Sequence, residues 1–164
     1  MTTGLAIFTL VHVVLSLIGI ISGFVVAWGL VAAKRLDRWT VVFLVATAAT
    51  SVTGFLFPFH RFMRSHGVGI VSLIVLALAI FARYVRHLAG RWSRIYALSA
   101  VLALYLNDFV LIAQLFEKVP ALKALAPTQK EPPFLVTQLV VLVIFVTLTI
   151  LAAIKFRNEP LRTA

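Results

Sequence analysis

No Asp, Glu, Lys or Arg interrupts the chain between Met1 and Ala33, and four later stretches are nearly as free of charge. A helix needs about 20 apolar residues to cross a ~30 Å hydrocarbon layer, and each of these runs is long enough. The whole chain is 62% hydrophobic with a mean hydropathy of +1.08, well above a soluble domain, in which roughly half the residues are apolar. The pattern predicts an all-α fold, a polytopic transmembrane helix bundle. Too little polar sequence remains for a second domain, so residues 1–164 read as one transmembrane unit.

Five spans are expected, at about 5–33, 39–57, 68–87, 95–116 and 134–154. The first is too long for a signal-peptide core and has no small-residue cleavage motif, so it is expected to stay as a span. The second is the shortest, ends at Pro58, and could equally be re-entrant. In the loop before the fifth span, PALKALA carries Pro120 where a helix would begin. It reads equally well as a short surface helix or as an extended connector.

The net charge of +10 lies between the apolar runs rather than in a basic tract, so nucleic acid is not an expected partner; the bilayer is. Lys34, Arg35, Arg38, Arg83, Arg86, Arg91, Arg94, Lys155, Arg157 and Arg162 fall on one side. Arg61, Arg64, Lys118, Lys123 and Lys130 fall on the other. Ten against five places the first set in the cytoplasm, the N-terminus outside and the C-terminus inside. Trp28, Trp39 and Trp92 lie near the cytoplasmic ends, where an interfacial belt would hold them. Arg83 and Arg86 read as side chains reaching toward the headgroups.

The fourth span holds the anomaly, Asp108, beside Asn107 and with Tyr105 a turn away. A carboxylate near the bilayer centre costs about 2.5–3.5 kcal/mol on insertion scales, so a partner and a task are expected. Counting from the span ends, Asp108 lies about 12 Å below Phe116, and His12 about 10 Å below Leu5. The two are therefore expected at one depth, able to share a proton. His12, Ser16, Gly19 and Gly23 form one helical stripe, and Gly19 and Gly23 make a GxxxG pair suited to close helix approach. Gln138 adds polarity near the outer end of the fifth span. The expected site is thus Asp108, His12, Asn107, Ser16, Tyr105 and Gln138, binding a proton or a small ligand in the outer half of the bundle. The bland alternative makes the same residues polar glue between helices.

Three roles compete. The first is a transport or sensing protein built on that site. The second is a redox subunit handling quinone or binding b-type haem, with His12 and His60 or His66 as metal ligands, although H-x5-H across a loop is no recognised ligand motif. The third is an accessory subunit, with GxxxG as the contact to a homo-oligomer or to a membrane-complex partner. No cofactor is expected under the first role. Zero cysteines exclude disulfides and thiolate-held clusters, and the absence of nucleophile, phosphate-loop and HExxH motifs leaves an enzyme the lesser expectation. The segments NDFVLIAQLF and KVPALKALAPTQKEPPF, followed by Gln138, make the last third resemble small uncharacterised multi-span proteins of the bacterial inner membrane. That resemblance implies a location and no activity.

Overall fold

The computed structural model describes residues 3–57 and 64–156, the side chains of 64–66 excepted. These residues form six α-helices: α1 (Thr3–Val31), α2 (Asp37–Gly54), α3 (Arg64–Ile80), α4 (Arg91–Lys118), α5 (Pro120–Leu125) and α6 (Pro132–Lys155). A single π-helical turn, Phe81–Val85, extends α3.

The helix ends follow local chemistry. Asp37 sits in the first turn of α2, where a negative charge meets the helix dipole. Proline opens both α5 and α6, in the positions where a helix has no use for the missing N–H. Ala33 adopts φ 55°, and the Lys34 N–H then bonds back to the Gly29 carbonyl at 2.8 Å, closing α1. Gly90 has φ 54° and ψ −120°, a conformation close to glycine-only, and it turns the chain into α4.

α4 is the centre of the bundle, packing against α1, α3, α5 and α6. Its residues Tyr96, Val101 and Leu104 are buried with Phe43 of α2 and Leu76 of α3 in one core. The outward faces are predominantly apolar, with Ile7, Leu10, Ile21, Val45, Ile74, Leu139, Val143 and Ile154 exposed. In water such faces would be anomalous; against lipid they are the expected surface.

Among the described residues, four helical segments have the length and apolarity to cross a membrane: Thr3–Val31, Gly67–Val85, Arg91–Lys118 and Pro132–Lys155. α2 does not join them. Asp37, Arg38 and its threonines and serine reduce its apolarity, although it packs lengthwise on α1. PALKAL is helical, and its Leu122 packs with Phe116, Ala126 and Phe134 in a small second core. The Phe116 and Phe134 rings meet edge-on at 5.3 Å, and Gln129 Nε2 donates to the Ala113 carbonyl at 2.8 Å, so the loop is tied to α4.

Just before α6, the Thr128 hydroxyl donates to Glu131 Oε1 at 2.8 Å, and the Lys130 N–H donates to Oε2 at 3.0 Å. The Thr128 hydroxyl, more than these backbone donors, holds the Glu131 carboxyl below its usual range. A lowered folded value stabilises the loop fully above the ordinary glutamate range, and that support is lost as pH falls through the lowered value. Thr128→Val should therefore move the Glu131 titration back upward in an NMR pH series. An unmoved titration would contradict this account.

Candidate functional site

α1, α2 and α4 are joined by a polar seam. His12 Nδ1 lies 2.8 Å from Thr53 Oγ1, and Phe57 meets its ring edge-on with centroids 5.0 Å apart. Further along, Asn107 Nδ2 donates to Thr47 Oγ1 at 3.4 Å, and Gly19 sits against both groups. Ser51 and Ser72 bridge α2 and α3 at 3.2 Å. The polar positions of the short second helix thus serve its contacts with its neighbours.

Asp108 is not His12's partner. Among the described residues no ion pair or hydrogen bond joins them. The reason is axial offset. Gly19 faces Asn107 and Gly23 faces Leu104, so antiparallel α1 and α4 bring Asp108 level with Ile18. His12 lies six residues nearer the start of α1, an offset of about 9 Å at 1.5 Å per residue. α1 projects beyond the end of α4, so equal counts from the two ends do not give equal depth.

Asp108 itself is 9% exposed, and no described residue hydrogen-bonds its carboxylate. At about 100° per residue it lies on α4 between Leu104, which meets α1, and Tyr105, which meets α6. The half-buried Tyr105 ring packs on Phe109 and Phe145, with centroids 6.3 and 5.5 Å away. Gln138 of α6 donates from Nε2 to the Phe109 carbonyl at 3.2 Å, while its buried Oε1 has no partner among the described residues. Ser16 is half-buried on the α1 stripe. Asn107 therefore faces α1 and α2, Tyr105 and Gln138 lie at the contact of α4 with α6, Asp108 lies on α4 between these two faces, and His12 stands apart with Thr53.

Of the proposed metal ligands, His60 lies outside the described residues, and of His66 only the helical backbone is described. Among the described residues no three His, Asp or Glu side chains group in a way that would hold a metal ion. The GxxxG pair is occupied within the chain: a Cβ on Gly23 would lie 2.5 Å from Leu104 Cδ1 and 2.9 Å from the Phe43 ring.

The opposite end of the bundle holds a constellation that the sequence reading missed. Arg83, in the π turn, is not extended toward solvent. Its side chain is 8% exposed and forms an ion pair with Asp37, whose own side chain is 74% exposed. The guanidinium lies over the Tyr96 ring at 5.2 Å, and the Tyr96 hydroxyl sits 3.3 Å from Thr40 Oγ1. Wide hydrogen bonds, from the Arg86 N–H to Phe81 and the Leu88 N–H to Ala82, form this bulge, a feature common at functional positions. Two signals were available: Arg83 lies four residues inside its span, and Asp37 is the only acid before Asp108.

A helical bundle with four membrane-capable segments and an apolar exterior fits a multi-pass integral membrane protein. The chain matches no protein-family model, no curated protein and no solved structure.

Proposed function

We propose that this protein is a multi-pass protein of the bacterial inner membrane, with its N-terminus outside, that binds and releases a proton at Asp108 in a transport or sensing role. One observation carries the reading: a buried carboxylate, in a helix otherwise suited to lipid, with no donor among the described residues. Such a group can be compensated by a cation, by hydrogen-bond donors or by a proton. The described side chains supply neither of the first two. Asn107 is turned to Thr47, and Gln138 directs its donor to the Phe109 carbonyl. Gln138 Oε1, at the contact between α4 and α6, is a buried acceptor with no partner among the described residues.

The test pairs infrared spectroscopy with proton flux in liposomes. A pH-dependent protonated-carboxyl band should be present in the wild type and absent in Asp108→Asn. Proton entry under an imposed gradient should fall in the variant to the rate of empty liposomes, with the fold intact by circular dichroism. Equal flux and an unchanged band in the two proteins would overturn the proposal.

A further inference from the structure

We infer that the cleft at the tryptophan-bearing end of the bundle, lined by Lys34, Arg35, Arg83, Tyr96, Leu30 and Phe156, binds an anionic phosphate group, presented by a phospholipid headgroup at the membrane interface. The cleft lies between the end of α1, the start of α2, the π turn and the end of α6. Its lining combines three cations, Lys34, Arg35 and Arg83, with apolar Val26, Leu30 and Phe156, which matches an anionic head joined to acyl chains. Basic pockets of this kind between membrane helices recognise anionic headgroups, and guanidinium is the side chain best matched to phosphate geometry.

Two further observations point to a lipid. Exposed Trp28 and Trp39 flank this end, and Lys34 lies over the Trp28 ring at 5.4 Å while Arg86 lies over Trp92 at 5.2 Å. Tryptophan and lysine so arranged mark headgroup depth. Finally, Arg83 is already held by its stacking on Tyr96, and its carboxylate partner Asp37 is mostly in solvent. A phosphate can therefore replace or join Asp37 without moving the buried cation.

The test uses the full chain in a neutral detergent and follows its unfolding temperature with added lipid. Phosphatidylglycerol should raise it by several degrees, because a ligand that binds only the folded state stabilises it. Phosphatidylcholine should leave it near the lipid-free value. The shift should disappear in the Lys34→Gln, Arg35→Gln double variant, both side chains being exposed, and persist in Lys34→Arg, Arg35→Lys. If inorganic phosphate alone stabilises the wild type as well as phosphatidylglycerol does, and the double variant loses this too, the site takes the phosphate group from a soluble source. Equal shifts with both lipids, or an undiminished phosphatidylglycerol shift in the double variant, would overturn the inference.

Discussion

Gly23→Val is expected to be among the most damaging single changes in the bundle, destabilising it by about 3 kcal/mol, the upper part of the usual overpacking range. The new Cβ alone would stand 2.5 Å from Leu104 Cδ1 and 2.9 Å from the Phe43 ring, and valine then adds two methyl groups. Neither neighbour has room to retreat, since Leu104 is fully buried and Phe43 is 1% exposed. α1 must therefore move away from α2 and α4 together, opening the packing on both sides of Gly19 and its contacts with Thr47 and Asn107. Reversible unfolding in mixed micelles measures the loss. Leu104→Ala supplies the control. Alone it should cost about 2–5 kcal/mol by leaving a cavity, yet in combination with Gly23→Val the total should fall below the sum by about 0.5–3 kcal/mol, because the valine fills the vacated space. Simple additivity would show that the clash is not what destabilises Gly23→Val.

The same glycine shows which parts of the fold were legible beforehand. The long charge-free runs announced the helices, since lipid-facing faces need no alternation with polar residues, and Pro120 marked a short helix that could have been a connector. The stripe from His12 to Gly23 was visible too, but its neighbours were not. Nothing in a single helix says that Gly23 meets Leu104 and Phe43, and Gly19 meets Thr47 and Asn107, of the same chain rather than a second copy. Depth was misread for a related reason. Counting from span ends assumes that helices stop at one plane, whereas α1 projects past α4, which leaves His12 with Thr53 and Asp108 with neither. Asp108 and Asn107 could be singled out from cost alone; their surroundings required the register. Arg83 was missed because a basic residue near a span end ordinarily reaches for the interface. Arg83 lies in the π turn and stacks over Tyr96, and no residue motif in the sequence announces such a turn.

That buried arginine makes the second large effect asymmetric between its two partners. Asp37→Ala leaves a guanidinium that is 8% exposed without its carboxylate. Breaking a fully buried pair in this way costs about 3–5 kcal/mol. Asp37 is 74% exposed and its pull is partly screened, so the expected loss is nearer 2 kcal/mol. Arg83→Met should cost less, about 1 kcal/mol, because the carboxylate left behind is hydrated and the methionine still covers the Tyr96 ring. Combining the two changes should then be no worse than Arg83→Met alone, since no buried charge remains to be stranded. The three proteins are compared by thermal unfolding at one pH and ionic strength. If Asp37→Ala lies within about 0.5 kcal/mol of the wild type, the ordinary scatter of a surface substitution, the pair is a surface contact and the buried-cation account of this end fails. If instead Arg83→Met is the more damaging, the guanidinium's stacking on Tyr96 outweighs its charge, and the π turn is held by packing rather than by the ion pair.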